Sequence, residues 1–160
     1  MKKAIYPGSF DPITYGHIDI VRRARKVFDE VHIAVAVNPE KTPFFAYSER
    51  VELIRKLFKE DPGIYVQDFS GLIIKHAEDL GIFTIIRGLR AVSDFDYEFQ
   101  FALTNQKLND KMETVFLMTD AQHSFLSSRV VRQLSRFGAD ISQMVPSVVE
   151  KAIKEKNKHE

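Results

Sequence analysis

The chain has 160 residues, with 23 Lys and Arg against 22 Asp and Glu, so its formal net charge is +1. That length suits one domain, residues 1–160, with a real core, and the near-neutral balance argues against a protein that coats nucleic acid. The absence of cysteine removes disulfides, thiolate metal sites and cysteine nucleophiles. With 44% apolar residues and 13 Phe the chain is not expected to be disordered. No apolar run approaches the ~18–20 residues of a membrane span, and the N-terminus loses its apolar character too early for a signal peptide. The expectation is a cytoplasmic protein with no membrane and no nucleic-acid partner.

Short apolar runs at residues 4–6, 31–37, 64–69, 83–86 and 114–118 read as strands. The run VHIAVAV at 31–37 is nearly continuous in apolarity, as in strands buried on both faces of a parallel sheet. Amphipathic segments follow at 17–28, 48–59, 72–80, 97–108 and 127–137, and Pro146 opens a last helix. A charged tail over 154–160 is expected to fray. The alternation predicts an α/β fold: a single Rossmann-like, doubly wound domain with a five-stranded parallel sheet and helices on both faces. Ligands of such sheets bind beyond the carboxyl ends of the strands.

The loop after the first strand runs from Tyr6 through Ser9, Phe10, Thr14 and Gly16 to His17, and matches neither a dinucleotide glycine fingerprint nor a P-loop. Free N–H groups and the dipole at the following helix start favour an anion. Gly16 lets a phosphate approach the backbone and His17 can donate to it; equally, Thr14 is an N-cap and His17 a surface residue. Arg87 and Arg90, three apart after the fourth strand, read as phosphate forks or as ion-pair partners of Asp94 or Asp96. Ser127 and Ser128 open a helix, where capping is the ordinary role. His32, His76 and His159 have no companions at metal-ligand spacing, and no protein metal site is expected.

Three segments carry a resemblance: GSFDPITYGHIDI, with its Thr-x-Gly-His run; IRGLRAVSDFDYE; and Leu126-Ser127-Ser128 ahead of a helix. In this order and spacing they resemble the phosphopantetheine adenylyltransferase family of the (His/Thr)-x-Gly-His nucleotidyltransferases, over about residues 2–150. The resemblance implies transfer of AMP from ATP to 4′-phosphopantetheine, giving dephospho-coenzyme A and pyrophosphate, with Mg²⁺ accompanying ATP. It implies catalytic roles for His17, Lys41 and Arg87. For ATP it implies Ser9, Phe10, His17, Gly88, Leu89, Arg90, Glu98, His123, Ser124, Phe125, Leu126, Ser127, Ser128 and Arg129. For the second substrate it implies Ser9, Lys41, Ile73, Arg87, Phe101 and Asn105. From the residues alone, Lys41 is a solvated loop lysine, while Ile73 and Phe101 are packing residues. The third signature departs from the family pattern, because Arg129 stands where a small hydroxyl residue is common and His123 where an aromatic is frequent. A homohexamer and feedback binding of coenzyme A are further expectations of the resemblance.

Overall fold

The computed structural model describes residues 1–37 and 42–158. Among them are strands β1 (Lys3–Gly8), β2 (Glu30–Val37), β3 (Ile64–Ser70), β4 (Thr84–Leu89) and β5 (Glu113–Met118). The helices are α1 (Tyr15–Arg25), α2 (Tyr47–Phe58), α3 (Ile73–Asp79), α4 (Val92–Leu108), α5 (Ser128–Arg136) and α6 (Ser147–Asn157), with a 3₁₀ turn at Ala121–His123. All strand pairs are parallel and the sheet order is β3-β2-β1-β4-β5. The expected α/β architecture is therefore the one observed.

Successive strand residues point to opposite faces, and each face is covered by its own core. Ala4 and Tyr6 of β1 pack with Val21 and Ala24 of α1, Ile54 of α2, Val131 of α5 and Val149 and Ile153 of α6. Ile5, between them in sequence, packs with Ile85 of β4 and with Ile73, Ile74 and Ala77 of α3 on the other face. Both faces are apolar along the central strands, which is why their sequence shows no alternation. Among the described residues, no helix is long and apolar enough to cross a membrane.

Three boundaries differ from the sequence reading. β4 continues through Arg87 and Gly88 to Leu89, because these residues keep register with Phe116, Leu117 and Met118 of β5. Arg87 thus stands on a strand, whereas the sequence placed it in a loop. α4 begins at Val92, five residues ahead of the start of the apolar period, with Asp94 in its first turn meeting the dipole. The tail expected to fray from 154 is helical through Asn157, held by Lys154 to Glu150 at 2.5 Å and Lys156 to Glu49 at 2.8 Å.

The strand order reverses at β1 and β4, since β2 and β3 lie to one side and β5 to the other. β1 keeps six residue pairs in register with β2, yet among the described residues it shares one, Ile5 with Ile85, with β4. The two strands part toward their carboxyl ends, and the crevice that opens is the place where such folds receive ligands.

Candidate active site

A cavity of about 290 Å³ occupies this crevice. Ser9, Phe10, His17, Arg87, Gly88, Arg90, Leu126, Ser127 and Ser128 line it, all of them residues singled out in the sequence. Tyr6, Pro7, Gly8, Thr14, Gly16, Ile20 and Thr119 complete the wall. Among the described residues, no carboxylate lies on it.

The β1–α1 side is built from backbone. Thr14 is extended and caps α1, and its N–H donates to Nδ1 of His17 at 3.0 Å. With Nδ1 accepting, the neutral ring carries its proton on Nε2. Burial, reinforced by the charge of Arg90, lowers the His17 pKa from 6.5 to about 4, so near pH 7 the ring is a neutral donor. Phe10 is held in the left-handed region at φ 45°, and its ring lies edge-on to Tyr6 and His17 with centroids 5.3 and 5.1 Å away. Gly8 makes this seat possible, because a Cβ there would stand 2.9 Å from the Phe10 ring. A Cβ on Gly16 would meet His123 O and Thr14 Oγ1 at 3.5 Å, ordinary contact. The protein's own packing therefore does not demand glycine at 16, and only something entering the cavity could.

The opposite side carries charge. Arg87 makes a two-pronged pair with Glu98, Nε to Oε2 at 2.6 Å and Nη2 to Oε1 at 2.7 Å. Its remaining prong reaches Pro7 O at 3.4 Å, and its guanidinium carbon lies 5.6 Å from the centre of the Phe101 ring. Burial alone would lower the Arg87 pKa, but the hydrogen bonds and charge of Glu98 outweigh it and raise the value. Arg90 is more exposed and pairs with Asp94 at 3.2 Å, the partner its ion-pair reading anticipated. For Arg87, the ion-pair alternative named Asp94 or Asp96 as partner; the structure has Glu98, one helical turn beyond Asp94 along α4. Burial drives the Tyr6 hydroxyl pKa strongly upward, so it stays neutral at the cavity floor.

A second helix start closes the cavity. Ser127 caps α5 by accepting from Val130 N at 3.2 Å, and the Ser128 hydroxyl donates to Pro12 O at 2.7 Å. The preceding loop is tied to α1, since Asp19 accepts from Asp120 N at 2.8 Å and Arg23 donates to the Asp120 carboxylate at 3.3 Å.

The remaining residues singled out in the sequence lie elsewhere. Leu89 is buried beneath the site, Ser124 is turned to Ala121 O at 2.9 Å, and Phe125 and Arg129 are exposed. The His123 ring lies 6.1 Å from Tyr15, and its Nδ1 is buried without a partner among the described residues. Ile73 is core packing on the α3 face, and Leu72 beside it is exposed. Asn105 is buried, with its Nδ2 unpartnered among the described residues. Lys41 lies outside the described residues, as does His159. Tyr6, Ile20 and Thr119 line the wall without having been singled out in the sequence; Tyr6 lies within β1 and Thr119 directly follows β5, and a position at the carboxyl end of a strand is the signal that could have found these two.

A parallel sheet with a cationic, helix-capped cavity at its switch point defines a nucleotide-binding α/β protein. The sequence matches the family described as cytidylyltransferase-like over residues 5–134. It is 48% identical over 158 residues to a phosphopantetheine adenylyltransferase from Caldanaerobacter subterraneus subsp. tengcongensis, covering 99% of both chains. A protein of the same name from Alkaliphilus metalliredigens is 51% identical, with 98% of this chain and 100% of that one covered. The fold is also that of a Plasmodium falciparum nicotinic acid mononucleotide adenylyltransferase complexed with NaAD, with a TM-score of 0.73 at 17% identity and 98% of this chain and 97% of that one covered. The chain belongs to the cytidylyltransferase-like family and, within it, to the phosphopantetheine adenylyltransferases.

Proposed function

We propose that this chain transfers AMP from ATP to 4′-phosphopantetheine, giving dephospho-coenzyme A and pyrophosphate. The observation that carries the reading is the switch-point cavity, where His17, Arg87, Arg90 and the starts of α1 and α5 converge with no described carboxylate between them. Near-full-length identity of about half to proteins of this name supports the choice of substrates.

An oxygen of the phosphopantetheine phosphate attacks the α-phosphorus of ATP in line. The bond from that phosphorus to the bridging oxygen breaks, and pyrophosphate leaves with the electron pair. No protein nucleophile is needed, so the protein's task is to align two anions and stabilise charge on the transferring group. His17 donates from Nε2 to an α-phosphate oxygen while Thr14 fixes its ring. Lys41, Arg87 and Ser9 hold the attacking phosphate, Arg87 through the prong that Glu98 leaves free. Arg90, Ser127 and Ser128 hold the departing pyrophosphate.

Phe10, Gly88, Leu89, Glu98, His123, Ser124, Phe125, Leu126 and Arg129 surround the nucleotide in this reading, directly or as support. Ile73, Phe101 and Asn105 serve the pantetheine arm, and the unpartnered Asn105 amide is a donor suited to its carbonyls. Mg²⁺ enters as part of the MgATP substrate, held by phosphate oxygens and water, in keeping with a wall whose described residues include no carboxylate. Assembly as a homohexamer, feedback binding of coenzyme A and a cytoplasmic location belong to the same reading. The exposed Phe95, Tyr97, Phe99 and Leu103 of α4 support assembly.

The test is pyrophosphate release with MgATP and 4′-phosphopantetheine, with dephospho-coenzyme A identified by mass. Turnover is expected with this acceptor and not with nicotinate mononucleotide. Release no faster than in the acceptor-free control would sink the reading.

A further inference from the structure

Arg50, in the first turn of α2, is a buried cation that the reaction above does not use; it is 4% exposed and is not on the cavity wall. Its Nη1 donates to the Ser9 carbonyl at 2.6 Å and reaches Ala36 O at 3.4 Å, while Nε has no partner among the described residues. Burial lowers its pKa, and the nearby Asp11 carboxylate opposes that. Asp11 is itself buried and accepts from the N–H groups of Phe44 and Phe45, both at 2.8 Å. These two groups stitch the β1–α1 loop to the chain entering α2. A hydrophobic side chain would fill the space of Arg50 without the desolvation penalty, so its charge serves something packing does not.

That service is at Ser9. The Ser9–Phe10 peptide is trans, so the Phe10 N–H points opposite to the carbonyl that Arg50 holds. Ser9 and Phe10 both line the cavity, and the Phe10 N–H meets no acceptor among the described residues. A charge on the carbonyl also polarises the peptide and strengthens its N–H as a donor.

We propose that Arg50 is a positioning residue: it fixes and polarises the Ser9–Phe10 peptide so that the Phe10 N–H donates to a phosphate oxygen in the cavity. This rests on the adenylyl-transfer reading. Arg50→Met keeps the packing stem and removes the donor; per folded molecule its kcat falls about tenfold or more, while KM for ATP changes less than about threefold. Arg50→Lys, with one ammonium for the same carbonyl, recovers part of that loss. An unchanged kcat in Arg50→Met, or no recovery in Arg50→Lys, overturns the proposal.

Carbonyl-¹³C serine combined with ¹⁵N phenylalanine reports only the Ser9–Phe10 and Ser124–Phe125 amides, and it needs neither a variant nor turnover. Saturating MgATP shifts the Phe10 amide proton downfield by about 0.3 ppm or more. An unmoved amide overturns the proposal even if every Arg50 variant misfolds. Wild-type protein that shows this shift but releases no pyrophosphate sinks the reaction alone; Arg50→Met then loses the shift if Arg50 sets the Phe10 N–H, and an undiminished shift in Arg50→Met overturns the proposal.

Discussion

The two walls of the cavity are held by different physics. On the β1–α1 side the donors are set before any ligand arrives, with His17 locked by Thr14, Ser9 by Arg50 and Phe10 wedged between Tyr6 and His17. On the β4–α5 side the cations already have acids, Arg87 with Glu98 and Arg90 with Asp94. A pre-aimed neutral donor needs no reorganisation when charge develops on phosphate, whereas a paired arginine must share or exchange its partner. In the reaction we propose, the first wall serves the transition state, and the second serves binding and stability.

The sharpest way to break that distinction is His17→Ala. We expect kcat to fall about 10²–10³-fold with KM for ATP changed less than about threefold, read from steady-state pyrophosphate release. Equal losses in both would move His17 to the binding wall. Next comes the Arg87–Glu98 pair. Arg87→Ala lowers kcat/KM for phosphopantetheine by about 10–100-fold. Glu98→Gln leaves a partly buried guanidinium without its acid and costs about 1–3 kcal/mol in urea melts, less than a fully enclosed pair would.

Gly16→Ala tests whether the first wall makes room for a ligand. A Cβ there meets only ordinary contacts, and alanine favours helix, so the melting temperature holds or rises while ATP affinity drops by about tenfold. The donor state of His17 can be read directly by its ring proton NMR titration in ligand-free protein, where its midpoint lies near 4 rather than 6.5. The sign follows: below pH 6.5 the unfolded chain takes up a proton that folded His17 refuses, so this group's share of stability is lost as pH falls from 6.5 toward 4. The smallest effect belongs to Asp94→Asn, where an exposed pair is worth about 1 kcal/mol or less and fades with salt.

The sheet was legible because buried parallel strands and amphipathic crossovers leave different periods in the chain. The helix starts were legible at Thr14 and Ser127 because capping is a local interaction. Arg87 on a strand was not legible, since its extended state depends on pairing with Phe116, 29 residues further along the sequence. For the same reason the choice of Glu98 over Asp94 or Asp96 was hidden, as it depends on how α4 crosses β4. Arg50 reads as one more surface cation on an amphipathic helix, and only burial against the β1–α1 loop distinguishes it.

By itself the sequence determined an α/β fold and three anion-capable segments, because periodicity, caps and short motifs depend on near neighbours along the chain. The tertiary structure alone decided which cations face the cavity and which acids restrain them. It also turned a +1 chain into a local cationic pocket and made a neutral donor of His17, because desolvation and pairing depend on neighbours distant in sequence.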